Sequence, residues 1–413
     1  MGGSHSTDSD LRLLKAPPES GKRREAFDRL RRSLLRKPSA TELLAAVAKV
    51  ESLRFPVWPA RPLEGGGRLQ PDVLADRVRG LLFGAALGDA AGLAGEFLSS
   101  AEVKSFYGPN FDFVPGCPVF PDEHRMMWCD GDWTDDTDQQ VLILQSLLHT
   151  EGRADPVDFA GRLLAWRVSG FPELGDQSAA GLGQTTKAVL NDPDFATDPH
   201  AAAAKHSATI PSNGGVMRTA VVGVPFYWSE ETVAKAAETF CLATHADPRC
   251  VATSVAVSLC VSRLLSGEED VIPPAVARAE AFLAAPEHKE EMRRYSEATS
   301  LADLELDERR TIGYTFKCMG AGLWALRQAE ESMRAEGCGP TPALFRRTLN
   351  ELILAGGDAD TNGAVAGALL GCRMGFSQLP KDWIAGMPYS SWLEAWAQKL
   401  LFMLGLRGQP ATG

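Results

Sequence analysis

Gly80, Gly84, Gly88 and Gly92 fall at every fourth position, and Gly363, Gly367, Gly371 and Gly375 repeat the pattern. On a helix this spacing places the glycines on one face, as a stripe without side chains. Each glycine inside a helix costs about 1 kcal/mol relative to alanine, so both helices need a large compensation. Close approach of another helix backbone is the compensation the spacing predicts. Acidic residues flank both stripes. Asp360 opens the second, while Asp89 and Glu96 lie within and just beyond the first. The expectation is that the two helices cross at the centre of a domain and position these acids.

The rest of the chain reads as helix after helix. Apolar residues recur at three- and four-residue spacing over 141–148, 159–166, 233–241, 249–265, 312–335 and 344–354, and alternating strand-like segments are scarce. The fold class is therefore all-α. At 413 residues and 45% apolar content, the chain can form one large domain or two medium ones. Residues 1–20 are polar and expected to be disordered. Residues 21–70 read as a helical extension and linker, with Gly65, Gly66 and Gly67 marking the linker. Residues 71–410 form the main domain. The basic stretch from Lys22 through Arg36 is read as a solvated helix face. Connections around 100–130, 168–180 and 191–212 are long and rich in Gly, Pro and Asp, as functional loops often are.

Charge and composition exclude some classes. A formal net charge of -11 argues against nucleic acid as the main partner, because phosphate contacts need clustered Lys and Arg. No run reaches the roughly 18 consecutive apolar residues of a membrane span, so no membrane partner is expected. The first residues show no signal-peptide apolar core, and the eight cysteines form no Cys-x-x-Cys pair. An intracellular protein with reduced thiols, in cytoplasm or nucleus, is the expectation.

Two acidic runs hold the chemistry. Thr134-Asp135-Asp136-Thr137-Asp138 and Gly356-Gly357-Asp358-Ala359-Asp360-Thr361 each stand where a glycine-containing loop turns into an apolar helix-like stretch. Aspartate and threonine at such positions are ordinary N-caps, and acids in a first turn complement the helix dipole. Three acids and two hydroxyls in succession exceed what capping requires. Carboxylate and hydroxyl oxygens suit hard cations such as Mg²⁺, Mn²⁺ and Ca²⁺. If the fold joins the runs, five or six oxygens converge, enough for a pair of ions.

With Gly88-Asp89-Ala90-Ala91-Gly92 followed by Glu96, and with Asn213-Gly214-Gly215-Val216-Met217-Arg218, these runs make four motifs in fixed order. The order resembles the ADP-ribosylglycohydrolase family over about residues 76–376. The resemblance implies a compact, orthogonal multi-helix domain with a binuclear Mg²⁺ or Mn²⁺ centre in a central cleft. It implies Thr134, Asp135, Asp136, Asp358, Asp360, Thr361 and Glu96 as metal ligands. It further implies Glu96, Asp136 and Asp135 as catalytic carboxylates, and an outer supporting place for Asp89. The substrate would be ADP-ribose on a modified acceptor, probed by Gly181, Gly183 and Gln184 at a phosphate-binding helix start. Asn213, Gly214, Gly215, Met217 and His245 would also line the ligand. Read from the residues alone, 181–184 is equally a plain helix start. Asn213 is equally a left-handed turn residue, with Arg218 in a structural ion pair. Where relatives place an adenine-stacking aromatic, this chain has Ile210-Pro211-Ser212, so Phe106, Tyr107, Phe111 and Phe113 are candidate substitutes. His124 has no comparable support. A monomer is expected. The rival readings are a non-catalytic ADP-ribose binder or crystallin-like structural protein, and a hydrolase of O-acetyl-ADP-ribose or nucleic-acid-linked ADP-ribose.

Overall fold

A computed structural model describes residues 4–17, 20–58 and 68–407. The linker expected at Gly65, Gly66 and Gly67 lies outside the described residues. The N-terminal segment contains α1 (Ser4–Leu13), α2 (Gly21–Leu34) and α3 (Ala40–Ser52). There follow α4 (Pro71–Gly92), β1 (Leu98–Ser99), α5 (Ser100–Tyr107), α6 (Asp135–His149), α7 (Pro156–Ser169), α8 (Gln184–Leu190) and α9 (Pro199–Ser207). The chain continues through α10 (Glu230–Leu242), α11 (Pro248–Ser266), α12 (Ile272–Ala279), α13 (Pro286–Ser296), α14 (Thr315–Glu336) and α15 (Pro342–Ile353). It ends with β2 (Gly356–Gly357), α16 (Ala359–Met374), α17 (Lys381–Gly386) and α18 (Ser390–Met403). The fold is all-α, with one two-residue strand pair among the described residues.

The glycine-striped helices are α4 and α16, and they form the centre. A methyl group added at Gly80, Gly84 or Gly88 would lie 2.1, 2.1 and 1.9 Å from the carbonyl oxygens of Gly371, Gly367 and Gly363. Partner numbers fall as the α4 numbers rise, so the helices run antiparallel. They touch backbone to backbone over several turns, rather than crossing at one point. This arrangement sets the C-terminal end of α4 against the N-terminal end of α16. Both helices are buried on nearly all sides, which explains their lack of a polar face. Beyond them, β1 pairs antiparallel with β2, Leu98 opposite Gly357 and Ser99 opposite Gly356. Gly356 and Gly357 have φ of +71° and +80°, and a side chain on either would strike a backbone carbonyl, that of Leu98 or Leu306. Glycine is required there.

Local signals set the other helix ends. Asp155, Asp198 and Asp247 cap α7, α9 and α11, each with proline in the first turn. Left-handed Gly267 and Gly337 end α11 and α14. α11 is long and apolar enough to span a bilayer, but 83% of that stretch is buried against other helices. Two segments expected to be loops contain helices, α5 and α9. The reason for α5 is a reciprocal cap, in which Ser99 and Glu102 each satisfy the other's backbone amide.

The N-terminal segment corrects two further expectations. Residues 4–13 are helical where disorder is expected, and Leu14 packs with Phe27, Leu30 and Met126 in a small separate core. The basic stretch is only partly a solvated face. Arg23, Arg24 and Arg31 turn inward to backbone carbonyls of Pro121, Val119 and Trp128, while Lys22, Arg32 and Arg36 remain exposed. Each of the eight cysteines is a free thiol.

Candidate functional site

The two acidic runs meet. Thr134 is the N-cap of α6 and Asp358 that of α16, so both helix N-termini face one volume. The Thr134 hydroxyl lies 3.2 Å from Asp136 Oδ2 and 3.3 Å from Asp360 Oδ2. Thr361 Oγ1 lies 3.4 Å from that same Asp136 oxygen. Glu96, Asp358 and Asp360 present carboxylate oxygens within 4.8 Å of one another. Glu96 reaches this place because β1 ties the end of α4 to β2. All of these residues are buried.

Electrostatics at the cluster are unfavourable without a partner. Burial, and then repulsion from neighbouring carboxylates, raises the pKa of Asp135, Asp136 and Asp360 well above the usual range. Burial first, then the charge of Glu96, raises that of Asp358 to about 6, against a hydrogen bond from Asn213. Among the described residues, none of these four aspartates is in an ion pair; Glu96 meets His124, whose Nε2 lies 2.6 Å from its Oε2. Asp136 Oδ1 and Asp360 Oδ1 are buried with no hydrogen-bond partner. Buried carboxylate oxygens without donors, packed among hydroxyls, suit a hard cation. The residues present fit such an ion.

A supporting layer fixes the cluster. Asp89 accepts from the backbone N–H of Thr134 and of Thr137, both at 2.9 Å, and from the Thr137 hydroxyl at 2.6 Å. It thus holds the first turn of α6 from the α4 side. Burial raises its pKa to about 6 despite those three bonds. Gln139 donates to Asp135 Oδ2 at 2.7 Å, and Arg218 donates to Gln139 Oε1 at 2.5 Å. Asn213 donates to Asp358 Oδ2 at 2.7 Å. Buried Arg218 also bonds Thr244 Oγ1, and among the described residues it is in no ion pair. Asn213 is absent from the left-handed residues, so neither half of its structural alternative holds.

The remaining candidates border this cluster to different degrees. Gly181, at φ +81°, abuts Asp135: a methyl group there would lie 2.5 Å from its Oδ1. Gly183 caps α8, and both Gly183 and Gln184 are exposed. The loop of Asn213, Gly214, Gly215 and Met217 packs beside α8, with Ser212 Oγ donating to Thr185 Oγ1 at 3.0 Å. Gly215 lies against Cys241, while Gly214 faces His245. His245 is buried against Gly214 and bonds Thr244, and burial lowers its pKa to about 3. Its ring packs against the loop at Gly214. Phe106, Tyr107, Phe111 and Phe113 pack on one another, and Phe113 is fully buried. Phe113 belongs to the main core, and Phe106, Tyr107 and Phe111 are half-buried beside it.

The sequence reading passed over two neighbours of the site. Gln139 stands one helical turn after Asp135, a spacing that places both on one face. His124 is remote in sequence from Glu96, and only the fold reveals its place.

Residues 70–410 match the family model described as ADP-ribosylglycohydrolase. The chain is similar to ADP-ribosylarginine hydrolase Tri1 of Serratia proteamaculans, 24% identical over 345 residues that cover 79% of this chain and 80% of that protein. It is similar to ADP-ribosylhydrolase ARH3 of Homo sapiens, 28% identical over 328 residues, 74% of this chain and 88% of that protein. A solved structure titled ADP-ribosylglycohydrolase-related protein complex matches with a TM-score of 0.58 and 26% identity, over 81% of this chain and 99% of that one.

Proposed function

The chain belongs to the ADP-ribosylglycohydrolase family, and we propose that it hydrolyses the bond between C1 of the distal ribose of ADP-ribose and a modified acceptor, with divalent cations as cofactor. Similarity to hydrolases named for ADP-ribosylarginine and for ADP-ribose supports the reaction class. One observation supports the cofactor above others. Buried oxygens of Glu96, Asp358 and Asp360 lie within 4.8 Å of one another, those of Thr134, Asp136, Asp360 and Thr361 lie within 3.4 Å in successive pairs, and Asp136 Oδ1 and Asp360 Oδ1 have no donor.

Thr134, Asp135, Asp136, Asp358, Asp360, Thr361 and Glu96 would hold two Mg²⁺ or Mn²⁺ ions. When bound, the ions supply Lewis acidity at the ribose hydroxyls and the attacking water. The chain's own groups do the rest. Asn213, Gln139 and Asp89 fix the carboxylates before substrate arrives, which lowers the reorganisation needed during reaction. Glu96 or Asp136 takes a proton as water oxygen bonds to C1 and the bond from C1 to the acceptor breaks, and that proton then reaches the departing acceptor atom. The Gly181–Gln184 turn beside Asp135 offers backbone amides to the diphosphate. The acceptor is a protein side chain in this reading.

Asp135→Ala and Asp136→Ala, assayed for release of ADP-ribose from conjugated protein, test the assignment. Release should fall at least a hundredfold, on the order of what loss of a ligand or catalytic carboxylate produces. Unchanged release by either variant defeats it.

A further inference from the structure

We propose that α2 is a positioning element of the catalytic centre, and that the wall it holds, made of Phe97, His124 and Trp128, is the surface that reads the acceptor. The helix lies outside the residues that match the family model. Its arginines nevertheless grip the loop beside Glu96. Arg23 Nε donates to Pro121 O at 2.6 Å, Arg24 Nη1 to Val119 O at 2.8 Å, and Arg31 to Trp128 O through Nε at 3.1 Å and Nη2 at 2.5 Å. Arg31 also pairs with Asp130. Phe27 and Leu30 pack on Met126 of the same loop. Charged donors on backbone carbonyls fix where that loop lies more firmly than neutral ones would.

What the loop carries explains why its place matters. His124 bonds Glu96, and buried Arg125 bonds the Glu96 and Leu93 carbonyls. The His124 ring lies 5.1 Å from Phe97 and 5.0 Å from Trp128, centroid to centroid. Trp128 extends to Gly181, whose other neighbour is Asp135. The wall therefore runs from Glu96 towards Asp135 along the edge of the carboxylate cluster.

Phe97 is the unusual member. Its φ is +58°, a conformation that bulky residues rarely adopt, and its N–H bonds Gly357 O at 2.6 Å. The ring is half exposed, although core space is the usual destination of phenylalanine. Backbone strain that leaves an aromatic ring in solvent beside a catalytic cluster is a feature of binding surfaces. Such a ring takes the flat or apolar part of an acceptor side chain, next to the bond that breaks. The acceptor part of this inference rests on the hydrolase reading.

The full chain is tested with Arg31→Ala, Arg31→Lys and Phe97→Ala by two measurements. Hydrogen exchange followed by mass spectrometry should show faster exchange confined to residues 119–130 in Arg31→Ala, with Arg31→Lys between it and wild type. Calorimetry should show an ADP-ribosylated peptide binding roughly tenfold more weakly to Arg31→Ala and Phe97→Ala, with free ADP-ribose binding within about twofold of wild type in Phe97→Ala. Unchanged exchange over 119–130 in Arg31→Ala overturns the positioning role. Equal weakening of ADP-ribose and conjugate in Phe97→Ala overturns the acceptor surface. If wild type releases ADP-ribose from no conjugate, the hydrolase reading falls and takes the acceptor surface with it. The exchange result still decides whether Arg31 holds the loop.

Discussion

Alanine at Gly88 should damage both stability and cation binding, whereas alanine at Gly80 should damage stability alone. The added methyl at Gly88 would lie 1.9 Å from Gly363 O and 2.4 Å from Gly363 C; at Gly80 it would lie 2.1 Å from Gly371 O. An acceptable carbon–oxygen contact is about 3.3 Å, so the helices must part locally by roughly 1.3 Å. Neither contact is with a flexible side-chain end, and two packed backbones yield little. Overpacking in a core costs typically ~1–3 kcal/mol, and a backbone clash belongs at the upper end. Against this stands about 1 kcal/mol gained from helix propensity. A net loss of about 2 kcal/mol is expected at each position, read as a lower urea midpoint at unchanged slope. The two sites then diverge. Gly88 lies next to Asp89 and opposite the first turn of α16, so parting the helices there separates Asp89 and Glu96 from Asp358 and Asp360. Gly80 lies two turns away, against the other end of α16. Calorimetry with Mn²⁺ should show affinity down roughly tenfold or more for Gly88→Ala and within twofold of wild type for Gly80→Ala. If Gly88→Ala is as stable as wild type, or if both variants lose cation affinity alike, the stripe does not position the site.

Other consequences are as direct. Gln139→Ala removes the donor to Asp135 and should weaken Mn²⁺ binding about 10–100-fold by calorimetry, and because buried Arg218 loses its acceptor as well, denaturant unfolding should show a loss of about 1–3 kcal/mol. Asp89→Ala leaves the Thr134 and Thr137 amides without their acceptor, and denaturant unfolding should show a loss of about 2–3 kcal/mol. The pKa values of Asp89 and Asp358, raised from 3.8 to about 6, make the folded state bind more protons than the unfolded state across that window. Their contribution to stability is therefore present below pH 4 and is lost as pH rises through 6, which urea titrations in chelator at pH 5 and pH 7 should register as a falling term. Added Mg²⁺ should recover stability at pH 7 and little at pH 5, because the ion binds the ionised form.

The parts of this molecule legible in sequence are those with a period or a local chemical grammar. Glycine at every fourth residue could be read as backbone contact, and Thr134 or Asp358 as helix starts, because each requirement is local. What the stripes alone did not reveal was direction: the same spacing serves a crossing or an antiparallel pair, and only the partner register distinguishes them. Asp135 with Gln139 was legible in principle, one turn apart, but amides on apolar helices are common and nothing local marks this one as a donor. His124 beside Glu96, and the arginines of α2 on the 119–128 carbonyls, are products of tertiary packing. A basic run on a short helix has the same pattern whether it faces water or a neighbouring loop.

Charge balance argues for two ions in the proposed site instead of one. Six carboxylates are buried there: those of Asp89, Glu96, Asp135, Asp136, Asp358 and Asp360. Opposing them are the N-termini of α6 and α16, each equivalent to about half a positive charge. Arg218 adds one more, reaching Asp135 through Gln139. The C-terminus of α4 adds about half a negative charge, so between about four and five negative charges remain, at least the charge of two divalent cations. Without cations the same surplus must be met by protons, which is the physical content of the raised aspartate pKa values. A single ion would leave at least about two buried charges uncompensated, each of which costs several kcal/mol in an apolar interior. Binding should therefore proceed with release of protons. Calorimetry in buffers of differing ionisation enthalpy should count more than one proton released per protein at pH 6, and a count of zero would mean that the carboxylates were already ionised and the surplus was met in another way.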